Sequence, residues 1–124
     1  MDTLPLLAIC GVTMDLITEL QNTIAMLQAS IKSLKVTSQA YAKAEQEYKI
    51  LLRQECLKLR DEGMAIGMIT LTCYGIPSVA EARFKRDIAD ANYKANLEAI
   101  QSYKLQIRLL DNQISREWGM SGNL

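Results

Sequence analysis

The sequence predicts an all-α fold: a long antiparallel helical hairpin with an additional N-terminal helix, oligomeric, in which irregular or β elements fit only the connector at 63–77. Three observations lead there. Apolar residues recur at alternating spacings of three and four, helix-ending signals fall at only a few places, and the last periodic segment is too long for a compact globule of 124 residues.

From Met14 to Leu34, the residues Ile17, Leu20, Ile24, Leu27, Ile31 and Leu34 form a heptad stripe in which isoleucine alternates with leucine. That alternation suits two-stranded packing. The flanking Gln21, Thr23, Gln28 and Ser30 carry no charge, so the usual pairing code is missing and the stripe fits its own chain or a second one equally well. Val36, Thr37 and Ser38 are poor helix formers and shift the phase, which predicts a bend or break near Ser38. An N-terminal oligomerisation segment, 1–37, is therefore expected ahead of a hairpin at 38–119.

The stripe resumes with Tyr41, Ala44, Tyr48, Leu52, Cys56 and Leu59, supported by the Glu45–Lys49 pair and stopped at Gly63. The run GMAIGMITLTCYGIPSVAE then carries no charge between Glu62 and Glu81. Its three glycines, Pro77, Thr70, Thr72 and Ser78 lower its hydrophobicity, and no basic cluster flanks it, so it reads as a connector rather than a membrane span. Ser78-Val79-Ala80-Glu81 has the form of a capping box. Beyond it Ala89, Tyr93, Asn96, Ile100, Tyr103, Ile107, Leu110 and Ile114 keep the helical spacing as far as Trp118, with Gly119 as the stop and 120–124 as a disordered tail. A helix from Val79 to Trp118 is roughly 60 Å long and has to pair with another long helix.

Fourteen basic residues balance fourteen acidic ones, so no overall field draws in nucleic acid or an anionic membrane. Cys10, Cys56 and Cys73 are odd in number and widely spaced, and there is no histidine, which disfavours a disulfide framework and a structural zinc and suits a reducing cytoplasm. The apolar start MDTLPLLAICGVTMD lacks a basic region and contains Pro5 and Gly11, so no export signal is expected. Without histidine, Ser-His and Cys-His nucleophiles are excluded, and the ExxH motifs of di-iron bundles are missing. Neither common glycine-rich phosphate loop is present. The expectation is a non-enzyme with no catalytic residues, no metal and no cofactor.

Two groups can still hold an anion. Arg83-Phe84-Lys85-Arg86 sets an aromatic ring among three cations near a helix start, where a base can stack on Phe84 while a phosphate meets the cations. The plainer reading makes Phe84 an apolar anchor for the connector. Arg108, Asn112 and Arg116 lie four apart on one helical face and form either a polar ladder for a nucleotide or a solvated surface. Asn96 interrupts the apolar stripe and needs a partner, one option being the same residue of a second chain, while Asn92 lies one turn earlier.

The segments YAKAEQEYKILLRQECLKLRDEG and VAEARFKRDIADANYKANLEAIQSYKLQIRLLDNQISREWG, from Tyr41 to Gly119, resemble small helical proteins of phages and prophages of Gram-positive bacteria, most distinctively in FKRD, YKLQIR and REW. Within that set the chain looks most like the Thoeris anti-defence proteins, oligomeric sponges that sequester cyclic ADP-ribose-type immune signals without cleaving them. The resemblance implies a cytoplasmic homo-oligomer, a dimer or higher and up to a hexamer, with a nucleotide pocket between chains. Its candidate ligand residues are Phe84, Asn92, Arg108 and Arg116, with Arg83, Lys85 and Arg86 as a second basic group for cyclic dinucleotides. Asn112 belongs to the Arg108–Arg116 ladder, and the connector, with Tyr74, is expected to form one wall of a pocket between subunits. The competing class is a helical interaction module that inhibits or scaffolds a protein, because long apolar stripes need no small molecule to explain them.

Overall fold

Two long helices carry most of the chain because most of it is written in one repeat. In the computed structural model, which describes residues 3–122, α1 spans Thr3–Asp61, α2 Ile66–Tyr74 and α3 Pro77–Gly122, with no strand among the described residues. α1 and α3 pack against each other as an all-α helical hairpin. Among the described residues, no helix is long and apolar enough to cross a membrane.

The chain divides into two compact units, Leu34–Asn96 and the pairing of Met1–Ser33 with Leu97–Leu124. In the first, Thr37, Tyr41, Ala44, Tyr48 and Leu51 of α1 turn inward, as do Val79, Ala82, Arg86, Ala89, Tyr93 and Asn96 of α3. Tyr41 and Tyr93 stack with ring centroids 6.1 Å apart and planes 2° from parallel. Thr37 Oγ1 donates a hydrogen bond of 2.9 Å to Asn96 Oδ1, so the amide in the stripe finds a partner within its own chain. In the second unit, Leu16, Leu20 and Leu27 turn inward from α1, and Ile100, Tyr103, Ile107, Leu110 and Ile114 from α3.

The stripe expected on α3 is the stripe observed, whereas that on the N-terminal part of α1 is rotated. Leu20, Leu27 and Leu34 are inward, but Ile24 and Ile31 are exposed and Thr23 and Ser30 take the inward places. Thr23 can sit there because its hydroxyl donates back to the Glu19 carbonyl at 2.8 Å. The break expected near Ser38 is absent, and the boundary at 37/38 falls inside α1. Ser38 donates to the Lys35 carbonyl at 3.2 Å, and the Thr37 hydroxyl, whose proton goes to Asn96, lies 3.3 Å from the Leu34 carbonyl, while packing along the seam outweighs their weak propensity. The N-terminal helical segment is thus the first half of α1 rather than a separate helix.

At the end of α1, Gly63 takes φ +85°. Its N–H donates to the Arg60 carbonyl and that of Met64 to the Leu59 carbonyl, at 3.0 and 3.1 Å. This is a Schellman stop, and it suits a residue without Cβ. The connector folds as α2, anchored by buried Ile69 and Cys73 one turn apart. α3 starts at Pro77, a first-turn position that needs no N–H. Ser78 therefore lies inside the first turn and the expected capping box does not form. α3 also continues through Gly119 to Gly122, while residues 123–124 of the expected tail lie outside the described residues.

Candidate functional site

A recess lies between α1 and α2, within the Leu34–Asn96 unit. Leu52, Cys56 and Leu57 of α1 and Ile66 and Ile69 of α2 make its apolar lining, Thr70 adds a hydroxyl, and Lys49, Arg53 and Arg60 supply charge. Its volume, about 690 Å³, is in the range of small-ligand clefts, but it is an open groove. α2 creates it by a division of faces. Ile69 and Cys73 seat the helix, which leaves Ile66 83 % exposed, Leu71 71 % and Met68 55 %. A nine-residue helix without charge, bare over its outer face, is an unfinished surface.

The cations of this groove are unequally engaged. Lys49 Nζ lies 3.2 Å from Glu45 Oε1 one turn before it. Arg53 and Arg60 have no ion pair among the described residues, and Arg60 sits in the last turn of α1, where the helix dipole favours a cation. A carboxylate or phosphate entering the groove meets two guanidinium groups without competing partners. The apolar lining beside them selects an amphipathic guest.

The residues singled out from sequence are dispersed. Arg86 is part of the seam: its guanidinium lies 4.5 Å from the centre of the Tyr48 ring, with Nη2 2.9 Å from Asp87 Oδ1 and Nε 3.7 Å from Glu45 Oε2. The hydrogen bond to Asp87 raises its pKa further, so it is a fixed cation bound into the fold. Arg83 lies 5.7 Å from the centre of the Tyr74 ring, which is the one candidate pair in ring contact. Phe84 is 59 % exposed. Lys85 and Asn92 line a recess of about 330 Å³ with Val36, Thr37, Ala40, Ile88 and Ala89. Arg108, Asn112 and Arg116 are exposed on α3 in the other unit.

Comparison with protein-family models, with curated proteins and with solved structures finds no match. The candidate site therefore rests on geometry alone.

Sequence reasoning missed the α1–α2 groove. Leu52, Cys56 and Leu59 were placed on an apolar stripe, but Arg53, Leu57 and Arg60 became informative only once the connector proved to be a helix beside them. A signal was present: IGMITLTCY has no charged residue and carries apolar side chains around the helix, more than the single face of Ile69 and Cys73 buries.

Proposed function

We propose that this chain is a non-enzymatic protein-interaction module, working as a homo-oligomer, whose α1–α2 groove and outer α2 face dock an amphipathic segment carrying acidic side chains. The observation that carries the reading is the uncovered apolar face of Ile66, Met68 and Leu71 beside Arg53 and Arg60. Apolar surface at that density is costly in water, and the adjacent unpaired guanidinium groups set the sign of what covers it. The chain exposes 9116 Å² in all. A compact monomer of this length exposes about 6,700 Å², and an excess of that order is what a stable subunit interface removes.

The test places a photo-crosslinking benzoylphenylalanine at Leu71 and compares it with the same probe at Gln101, an exposed position on α3. Efficient crosslinking from position 71 and little from 101 is expected, either to a second copy or to a partner, and charge reversal at Arg53 and Arg60 reduces it. Equal yields at both positions would remove the groove from consideration. Light scattering that finds only monomer at micromolar concentration would remove the oligomer.

A second reading, sequestration of a cyclic ADP-ribose-type or cyclic dinucleotide signal in an infected bacterial cytoplasm, has one supporting observation. Lys85 and Asn92 share a recess with Ile88, one turn beyond the exposed ring of Phe84. Mass spectrometry of small molecules released by heating the purified protein separates the two readings. A recovered nucleotide favours sequestration, and an empty release favours the interaction module.

A further inference from the structure

The thiol chemistry of the two cysteines that the fold brings together is used by neither reading. Cys56 Sγ of α1 lies 2.9 Å from Cys73 Sγ of α2, although they are seventeen positions apart in sequence, and both are free thiols. A disulfide sulfur pair is separated by about 2.05 Å, so the bond requires less than about 1 Å of approach. The two sulfurs face each other from two different helices, and Ile69, one turn before Cys73, is buried as well.

The two thiols differ in access. Cys56 lines the open groove, where Lys49, Arg53 and Arg60 also lie, whereas Cys73 has no exposed surface. We propose that Cys56 and Cys73 are a reversible modification site for oxidants of the hydroperoxide class, closing to a disulfide that staples α2 to α1.

The Cys56 thiolate attacks the terminal oxygen of the hydroperoxide, the O–O bond breaks, and the departing oxygen leaves as water or an alcohol after taking up a proton. Cys56 becomes a sulfenic acid. The Cys73 sulfur then attacks the Cys56 sulfur, and the displaced hydroxide takes the Cys73 proton and leaves as water. Two thiols lose two electrons and two protons, and one peroxide bond is reduced. Access sets the order of events, since only Cys56 meets an oxidant in the groove. Burial supports the same order: it pushes the Cys73 thiol up to about 11, which keeps it protonated until the sulfenic acid forms beside it. Because α2 supplies one wall of the groove, the staple fixes that wall.

The experiment uses the full chain with Cys10→Ser, which removes the third thiol. The reduced protein is treated with stoichiometric hydrogen peroxide, blocked with iodoacetamide and digested with trypsin without reductant. The expected product is a linked pair of peptides, 54–58 and 61–83, lighter than their sum by two hydrogens and separated by dithiothreitol. The melting temperature of the oxidised protein is expected to rise by about 10 °C, and the rise disappears in Cys56→Ser. Cys56 oxidised to sulfinic acid beside an alkylated Cys73, or a Cys56–Cys56 link between chains in place of the linked pair, would overturn the proposal. The peptide mapping carries the result even if Cys56→Ser impairs folding.

Discussion

The two units of the hairpin solve the same packing problem with different side chains. In the unit of Met1–Ser33 and Leu97–Leu124 the inward places belong mainly to Leu16, Leu20, Leu27, Ile100, Ile107 and Leu110, and the Thr23 hydroxyl among them is satisfied locally by the Glu19 carbonyl. In the Leu34–Asn96 unit they belong to Thr37, Tyr41, Tyr48, Arg86, Tyr93 and Asn96, each engaged across the seam. An aliphatic seam buries nearly the same area if one helix slides by a heptad. A seam of stacked rings, an amide bond and a guanidinium over a ring has one register in which all its contacts exist. The first kind of packing supplies stability, and the second supplies alignment.

The strongest test of that division is to hollow the aliphatic seam. Ile100→Ala, at a position 6 % exposed, should cost about 2–4 kcal/mol in urea denaturation. Next in size is Thr37→Val, which removes the hydrogen bond to Asn96 and should cost about 1–2 kcal/mol. Pairing it with Asn96→Leu should restore most of the stability while multiplying the amide resonances in a two-dimensional NMR spectrum. A single sharp set from the double variant would break the alignment argument. Gly63→Ala puts a Cβ at φ +85° without a steric neighbour, so its penalty is backbone strain alone, about 1 kcal/mol by the same denaturation measurement. The smallest effect is expected at Lys58→Ala, where an exposed pair with Glu55 at 3.2 Å is lost and the midpoint should not move resolvably.

Much of this fold is legible in the sequence. The α3 stripe from Ala89 to Ile114, the stop at Gly63 and the hairpin follow from spacing and from one glycine. What misled on α1 was chemistry at the inward places. With Thr23, Ser30 and Thr37 there, the eye shifts to Ile24 and Ile31 one position over and then needs a break at Ser38 to recover the phase. Threonine and serine look like interruptions because propensity is measured without a partner helix, and the partner supplies what propensity withholds. The site was less legible. Arg86 sits three residues from Arg83 in a basic run, but Tyr48 and Glu45 arrive from forty residues away to make it part of the seam. The Cys56–Cys73 contact and the groove likewise depend on where α2 lies, which an uncharged connector does not disclose.

The repeat of the inward residues has a consequence at the level of the gene. In the unit of Met1–Ser33 and Leu97–Leu124 they return every seventh position, Leu20 to Leu27 on one arm and Ile100 to Ile107 on the other. A loss or gain of seven codons in each arm leaves the faces matched, while a single codon added to one arm turns everything beyond it by about 100° about the helix axis. Variation in length should therefore be inherited in matched blocks, and solitary insertions should be confined to the short stretches between the helices.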